Sequence, residues 1–198
     1  KGKVVDALAR TCRYVARYCG GANAGHTVNV AGETFALHLI PCGIMRQGVV
    51  NVVGNGVAFD PEECLGEING LRERGVAVGP ENLRISAAAH VVMPWHKEQD
   101  RHSEQALGAG RIGTTARGIG PCYADKANRS TAVRVGDLVH RDSLREKVRL
   151  IAELKNRVFA ALYGAEPIDA DAVADQYAAF GEALGPMICN AGALLRGA

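Results

Sequence analysis

Short apolar runs alternate with glycine-rich segments through the first half of the chain. The pattern of apolar and polar positions predicts strands over residues 14–18, 34–40, 49–53, 57–59, 83–86 and 91–93, with a further strand beginning at residue 28. Between the third and fourth of these runs, Gly54-Asn55-Gly56 predicts a tight bend. Strands separated by helical segments predict an α/β fold.

Apolar residues recur at helical spacing near the start of the chain and again after residue 60. Asp60 is placed to cap a helix, Pro61 suits its first turn, Glu63 completes a capping box, and Gly75 ends it. The last third is helical. We therefore expect one domain, with a nucleotide-binding α/β core over residues 1–140 and a helical segment over residues 141–198.

Two helices are predicted in that last segment. A capping box at Ser143 and Glu146 begins the first, and Gly164 ends it. Its predicted buried face consists of Val148, Ile151, Leu154, Val158 and Leu162. The second helix is predicted to begin at Asp171. Both apolar faces predict packing on the sheet or on a partner chain.

The most informative stretch is Gly20-Gly21-Ala22-Asn23-Ala24-Gly25-His26-Thr27, which follows a predicted strand. Glycines there allow positive φ and close approach of a ligand to the backbone. Loops at the carboxyl ends of strands bind ligands in open α/β sheets, and His26 can exchange a proton near neutral pH. A glycine-requiring hairpin turn with a surface histidine is the alternative, but so specific a stretch favours a binding loop.

A second glycine-rich stretch runs from residue 113 to residue 129 and contains Thr114, Thr115, Gly118 and Gly120. Three cations, Arg117, Lys126 and Arg129, accompany it. Hydroxyls and backbone N–H groups can fix a phosphate, and arginine can grip it in a bidentate manner. Taken alone, this stretch is equally typical of an irregular glycine-rich connection with ordinary surface charges.

The first residues, Lys1-Gly2-Lys3, open a helical pattern. A helix amino end offers free N–H groups to an anion, so this segment is typical of the end of a phosphate-binding loop. We expect the glycines and strand of such a loop upstream of Lys1. A flexible lysine-bearing terminus is the alternative, and these three residues alone favour it.

A polar segment at residues 95–102 contains His96, Asp100 and His102. Only the first two share a helix face, so we rank a metal site below a solvated helix face. The six cysteines include no C-x-x-C pair, which favours reduced thiols in the cytoplasm. A net charge of +2 gives no reason to expect nucleic acid or an anionic membrane as a partner.

Several stretches together resemble adenylosuccinate synthetases, and the resemblance runs in order from residue 1 to about residue 140. Lys1-Gly2-Lys3-Val4-Val5-Asp6 is similar to the end of the family phrase Trp-Gly-Asp-Glu-Gly-Lys-Gly-Lys. The other matching phrases are residues 17–27, residues 38–43, residues 54–57, and Gly118-Ile119-Gly120-Pro121-x-Tyr123-x-x-Lys126-x-x-Arg129. The resemblance implies a mixed, mostly parallel central sheet with flanking helices, a partial synthetase fold like that of P-loop NTPases, and a helical subdomain at the C-terminal end.

The resemblance also implies a GTP-dependent ligase that joins inosine monophosphate (IMP) and L-aspartate, with magnesium, to form adenylosuccinate. In the family the γ-phosphoryl group goes to the purine 6-oxygen, and the amine of aspartate then displaces phosphate. His26 would be the catalytic acid. The implied IMP contacts are Lys1, Asn23, Ala24, Gly25, His26, Thr115 and Arg129. The implied GTP contacts are Lys1, Gly2, Lys3, Gly25, His26 and Thr27. The carbonyl of Gly25 would bind magnesium, and Arg129 would reach the IMP site of the other subunit in a homodimer.

The family's general base, an aspartate, would precede Lys1, and family chains are about twice as long. We therefore expect a partial chain that does not turn over by itself. Two alternatives remain open. An ordinary P-loop GTPase would need a hydroxyl residue after the lysine, where this chain has Gly2 and Val4. The other is a non-catalytic nucleotide-binding or dimerisation module derived from the family.

Overall fold

The computed structural model describes residues 2–30 and 32–197. The strands, in chain order, are β1 (Tyr14–Gly20), β2 (His26–Val30), β3 (Glu33–Leu37), β4 (Val50–Phe59), β5 (Leu83–Ser86), β6 (His90–Val91) and β7 (Ile188–Cys189). The helices are α1 (Gly2–Ala9), α2 (Pro61–Glu73), α3 (Pro94–Ala106), α4 (Ile119–Asn128), α5 (Arg141–Tyr163), α6 (Ala170–Leu184) and α7 (Ala191–Arg196). Short 3₁₀ turns lie at Cys42–Met45, Gly108–Gly110, Val135–Val139 and Gly185–Met187.

The central sheet is parallel, with the strand order β1-β4-β5-β7, and β6 pairs in parallel with the last residues of β4. β2 and β3 form a separate antiparallel hairpin in which His26 lies opposite Leu37. One large core cluster lies between the sheet, α2, α5 and α6. The predicted α/β class with a mostly parallel sheet is confirmed. The helical C-terminal segment also contributes β7, which joins the sheet.

The predicted bend at Gly54-Asn55-Gly56 is wrong, because β4 is one continuous strand of ten residues. The glycines are needed for another reason. A Cβ at Gly56 would lie 2.3 Å from the carbonyl oxygen of Tyr18, and one at Gly54 would lie 3.1 Å from that of Arg17. The strand register shifts between Arg17 and Cys19 at this point. β1 and β4 therefore approach too closely for side chains.

Asp60 and Pro61 begin helix α2 as predicted, whereas the carboxylate of Glu63, predicted to complete a capping box, pairs with Arg117. The N-cap is Asp60, whose carboxylate accepts a hydrogen bond from the amide of Glu63 at 3.3 Å, and Pro61 occupies the first turn. Ile68 and Leu71 are buried against the core. Gly75 follows the end of the helix with a φ of +77°, where glycine avoids the steric cost of the left-handed region.

The first residues of both helices and the buried face of α5 differ from the prediction, whereas Gly164 ends α5 as predicted. α5 begins at Arg141, and the hydroxyl of Ser143 donates to the carbonyl of His140. The N-cap of α6 is Asp169. Leu154, Val158 and Leu162 are exposed, because the core face of α5 passes through a different set of residues. That set is Leu144, Val148, Ile151, Ala152, Lys155 and Phe159.

A row of ion pairs joins the exposed sides of α5 and α6. Arg141, Arg145 and Arg149 follow one another at a spacing of four residues on α5. Asp175 pairs with Arg141 at 3.1 Å and also with Arg145, and Asp171 pairs with Arg145 at 3.4 Å and with Arg149 at 2.8 Å. We call this row the α5–α6 ion ladder. Each pair is exposed, so each contributes at most about 1 kcal/mol to stability.

A buried polar network joins α3, α4 and α5, and it shows that the predicted solvated face is wrong for His96. The Nδ1 of His96 accepts a hydrogen bond from the amide of Met93, so its proton lies on Nε2 and is donated to Asp125 at 2.9 Å. Lys155 lies 2.8 Å from the other oxygen of Asp125. Burial lowers the pKa of His96 even though Asp125 opposes this shift. α4 is thereby fixed to two neighbouring helices.

The remaining candidates in the segment 95–102 also have structural partners. Asp100 accepts a hydrogen bond from the amide of Gly118 at 3.0 Å, and the ring of His102 stacks on Tyr163 at 5.0 Å. In residues 2–30 and 32–197, no group of three or more His, Cys, Asp or Glu side chains is gathered as a metal site. All six cysteines are free thiols. No helix in the described part of the chain is both long enough and apolar enough to cross a bilayer.

Candidate functional site

A cleft of about 410 Å³ opens beside the end of β1 and contains His26. It lies between α1, β1, the loop 21–25 and the 3₁₀ turn Cys42–Met45. Its lining residues are Val5, Val15, Ala16, Arg17, Tyr18, Cys19, Ala24, Gly25, His26, Pro41 and Cys42. Most of this surface is apolar, and its two basic side chains, Arg17 and His26, lie on β1 and at the start of β2. The cleft therefore has an apolar wall and a polar end, the combination typical of a small-molecule site.

The three glycines of the first loop meet two different requirements. Gly20 has a φ of +86°, which turns the chain out of β1. A Cβ at Gly21 would lie 2.3 Å from the δ-methyl carbon of Ile119, and one at Gly25 would lie 2.8 Å from Nε2 of His38. Sequence reasoning assigned these glycines to positive φ and to the approach of a ligand. At Gly21 and Gly25 the close approach is made by side chains of the protein itself.

Arg17 holds the loop in place from β1. Its guanidinium donates to the carbonyl of Gly21 at 2.6 Å, and to the carbonyls of His38 and Cys19. Burial lowers the pKa of Arg17, and the nearby carboxylate of Glu67 opposes this shift. One cation thus fixes both the beginning of the loop and the segment that follows β3. Its presence in a matching family phrase was visible in the sequence, but its contacts were not.

A carboxylate holds the segment that leads to Pro41 and Cys42 on the wall of the cleft. Glu67, on α2, accepts hydrogen bonds from the amides of three consecutive residues, His38 at 2.5 Å, and Leu39 and Ile40 at 2.9 Å each. Its oxygen also lies 3.5 Å from Nδ1 of His38. These contacts fix the backbone from which the His38 ring reaches Gly25. Sequence reasoning named His38 only within a phrase and did not identify Glu67. Nothing in the sequence placed that glutamate opposite residues 38–40.

His26 is half-buried and lies at the first position of β2. Burial lowers its pKa, and the positive charge of Arg17 and the imidazole of His38 lower it further. The free imidazole is therefore neutral at pH 7 and carries one N–H. Desolvation together with defined charged neighbours in a cleft is typical of a functional group. An anion bound beside the ring would favour its protonated form and raise the pKa.

The other candidates of the first loop surround this histidine. Asn23, Ala24, Gly25 and Thr27 are exposed, and Ala24 and Gly25 line the cleft. α1 begins at Gly2 and carries Lys3 in its first turn, and its Val5 lines the cleft. Lys1 lies outside the described residues. The loop thus presents its small residues and their backbone to solvent and to the cleft.

Thr115 and Arg129 belong to the second glycine-rich stretch. Both are exposed, and neither is among the described residues that line the cleft. Arg129 ends α4 in a γ-turn with φ +67° and ψ −45°, in which the amide of Ser130 donates to the carbonyl of Asn128 at 2.8 Å. A non-glycine residue in this conformation is strained, and such strain is concentrated at functional sites. The structure therefore brings together the candidates of the first loop but not Arg129 with His26 in one chain.

The chain is similar in sequence to known proteins along its length. The sequence model of the family described as adenylosuccinate synthetase matches residues 1–198. The adenylosuccinate synthetase of Clostridium acetobutylicum is 46% identical over 188 residues, which are 95% of this chain and 44% of the relative. That of a Parafrankia species is 49% identical over 195 residues, or 98% of this chain and 45% of the relative. The chain spans less than half the length of these relatives.

Solved structures give the same result for the fold. A fully ligated adenylosuccinate synthetase from Plasmodium falciparum has a TM-score of 0.85 and 28% identity, and the match covers 99% of this chain and 45% of that chain. A succinoaminodeoxyadenylate synthetase from cyanophage S-2L has a TM-score of 0.53 at 22% identity, with 77% of this chain covered, and shows similarity of fold alone. With the family model matching residues 1–198 and relatives nearly half identical, the chain belongs to the adenylosuccinate synthetase family.

Proposed function

We propose that this chain forms part of a GTP-dependent ligase that joins IMP and L-aspartate to give adenylosuccinate, GDP and phosphate. The observation that carries the proposal is the cleft that contains His26. The pKa of His26 is lowered, the loop beside it is rich in glycine, and the chain belongs to this family. In the proposed reaction, the γ-phosphoryl group moves to the 6-oxygen of the purine. The amine of aspartate then attacks carbon 6, and phosphate leaves with the former oxygen. Reduced cysteines fit a cytoplasmic enzyme.

His26 would act on the phosphoryl group during its transfer. The neutral imidazole can donate its N–H to a phosphoryl oxygen, where negative charge develops. The charge of the bound phosphates then raises the pKa of the ring, so that it can also carry a second proton. Arg17, which lowers the pKa in the free protein, is held by three carbonyls and so cannot turn to pair with the ligand without breaking the loop. Its role is to hold the loop.

The remaining residues of the loop would position the two nucleotides. Asn23, Ala24 and Gly25 would contact IMP together with His26. Gly25, His26 and Thr27 would lie against the GTP phosphates with Gly2, Lys3 and Lys1. Exposure of the loop and the helix start at Gly2 support this assignment, because backbone N–H groups at a helix amino end attract phosphate. Thr115, an exposed hydroxyl residue of the second loop, would bind the phosphate of IMP.

Magnesium would require more ligands than the described residues gather. We propose the carbonyl of Gly25 as one oxygen ligand, because that residue lies on the exposed loop of the cleft. Magnesium prefers six oxygen ligands, with carboxylates among them, and no cluster of acidic side chains in residues 2–30 and 32–197 completes such a set. The bound ion would neutralise phosphate charge. The steps assigned above to His26 do not depend on it.

Binding of IMP is the direct test for this chain. We expect saturable heat release when IMP is titrated into the 198-residue chain, and tighter binding when GTP is present. His26→Ala should weaken IMP binding about 10- to 100-fold, the effect of losing a hydrogen bond to a charged group. His140→Ala is the matched control, because His140 is exposed at the start of α5, away from the cleft. Equal affinities of wild type and His26→Ala would contradict the role of His26.

Turnover needs the rest of a family enzyme. We expect a chimera, in which this chain replaces the matching 44% of the Clostridium acetobutylicum relative, to convert IMP in a GTP- and aspartate-dependent manner. His26→Ala should lower its kcat by about 10²- to 10⁴-fold. Turnover by the 198-residue chain alone would show that it carries the whole reaction. IMP binding without turnover in the chimera would instead favour a non-catalytic nucleotide-binding module.

Arg129 would serve the partner's site in a homodimer. Its exposed side chain, its strained turn and its position outside its own cleft support this proposal. In the chimera, we expect His26→Ala and Arg129→Ala to be nearly inactive when each is pure. Mixed dimers of the two variants would contain one site with both native residues, so mixing should restore activity. Activity that stays at the level of the pure variants would contradict a site shared between subunits.

A further inference from the structure

One hydroxyl group joins the two glycine-rich stretches of the chain. Tyr123 lies on α4, and its oxygen lies 2.7 Å from the carbonyl oxygen of Gly56 and 3.0 Å from the amide nitrogen of Gly20. Because a phenol has one proton, the hydroxyl donates to Gly56 and accepts from Gly20. The carbonyl oxygen of Gly20 lies at 3.2 Å. The hydroxyl thus links α4 to the last residue of β1 and to the part of β4 that packs closely against β1.

The bond is made where the chain leaves β1. Gly20 has a φ of +86° and leads directly into the loop 21–25 that ends at His26. Its amide donates to the phenol oxygen, and this hydrogen bond holds the corner together with the bonds from Arg17 to the carbonyls of Cys19 and Gly21. An unsatisfied amide there would favour opening of the corner to water.

The phenol is itself held rigidly. Its ring packs against a small buried cluster of Ala58, Val92 and Cys122, together with Ile119. Ile119 also approaches Gly21 so closely that a Cβ there would overlap its δ-methyl group. α4 therefore contacts two successive residues at the start of the loop, one through a hydrogen bond and one through packing.

We propose that Tyr123 is a positioning residue for the His26 loop and acts through Gly20. It sets the corner from which the loop starts, and it thereby fixes the burial of the His26 ring. The same helix leads to Arg129, so the two stretches are held as one unit. The consequence for IMP binding rests on the proposed function, whereas the effect on the loop does not.

Tyr123→Phe removes the hydroxyl and keeps the ring. We expect hydrogen exchange of the Gly20 amide, measured by NMR, to accelerate at least about tenfold. The pKa of His26, measured from its ring resonances, should rise toward its ordinary value, because a loosened loop admits water to the ring. Affinity for IMP should fall about tenfold. Tyr14→Phe is the matched control at the other end of β1, and its hydroxyl forms no hydrogen bond within the described part of the chain. All three measurements should keep their wild-type values in it.

The outcomes separate this proposal from the proposed function. Unchanged Gly20 exchange and an unchanged His26 pKa in a folded Tyr123→Phe variant would overturn the positioning role. The wild-type chain could fail to bind IMP while Tyr123→Phe still changes Gly20 exchange and the His26 pKa. That result would overturn only the proposed function. If Tyr123→Phe does not fold, a measurement on the wild-type chain tests the positioning role instead. Its Gly20 amide should exchange at least about tenfold more slowly than in an unstructured peptide, and equal rates would overturn the proposal.

Discussion

Lys155→Met tests the ion pair that holds α4 on α5. The ammonium of Lys155 lies 2.8 Å from Asp125, and the two side chains are 11% and 7% exposed. At that distance, the attraction between unit charges is about 6 kcal/mol with an effective dielectric constant of 20. Methionine fills a similar volume but leaves the carboxylate with His96 alone. We expect the free energy of unfolding at pH 7 to fall by about 3–5 kcal/mol, measured by urea denaturation followed by circular dichroism.

The double variant Lys155→Met/Asp125→Asn distinguishes loss of charge pairing from loss of packing. The amide introduced at position 125 keeps an oxygen that can accept the Nε2 proton of His96 and leaves no buried charge. We expect it to be more stable than the single variant by about 2 kcal/mol, as a double-mutant cycle measures for coupled groups. A single variant that loses less than about 1 kcal/mol, or a double variant no more stable than the single one, would refute this reasoning.

The dependence of this deficit on pH is a further check. Burial by itself raises the pKa of Asp125, but hydrogen bonds from His96 and Lys155 and their charges outweigh it and lower the pKa overall. The stability gained from the ionised carboxylate is therefore present above its ordinary pKa and is lost as the pH falls through the lowered value. The difference between wild type and Lys155→Met should narrow below roughly pH 4. A deficit that stays constant to lower pH would point to packing.

Two further predictions concern β4 and β6. Gly56→Ala should lower the free energy of unfolding by at least about 2–3 kcal/mol, because its Cβ would lie 2.3 Å from the carbonyl oxygen of Tyr18. Gly66 lies in a helix, and a Cβ there would have nothing within 4 Å, so Gly66→Ala should raise the free energy of unfolding by about 0.5–1 kcal/mol. Urea denaturation measures both changes. Burial and nearby cations lower the pKa of His90 to about 4, so the unfolded chain takes up a proton at higher pH than the folded one, and wild-type stability should fall as the pH falls from about 6.5 to about 4. In His90→Gln, this loss of stability between about pH 6.5 and about pH 4 should be smaller by about 2 kcal/mol, a value reduced for solvent screening. The same pH profile in variant and wild type would contradict the lowered pKa of His90.

The elements that local chemistry determines could be predicted from the sequence. The cap at Asp60, the glycine end of α5 at Gly164 and the strand before Gly20 depend on residues near one another in the chain. The first loop was recognised because several specific residues occur together in it. Its individual glycines were understood less well, since the groups that require Gly21 and Gly25 are Ile119 and His38, which are distant in sequence.

The features that the sequence could not supply depend on pairs of segments. Gly54 and Gly56 have the composition of a turn, but the closeness of β1 to β4 explains them. The buried face of α5 follows Lys155 and Phe159 because a charged partner, Asp125, lies on α4. A helical pattern that treats lysine as polar assigns that face to Leu154 and Val158 instead. His96 was misplaced on a solvated surface for the same reason.

The α5–α6 ion ladder has a consequence for how the two helices align along their length. Its arginines recur once per helical turn, and Asp171 and Asp175 face them with the same spacing. If α6 shifted by one helical turn along α5, the arginine at one end of the row would have no aspartate opposite it, and each remaining aspartate would face a different arginine. Each ion pair stabilises the protein little by itself, but only one alignment of the two helices allows all of these pairs to form together.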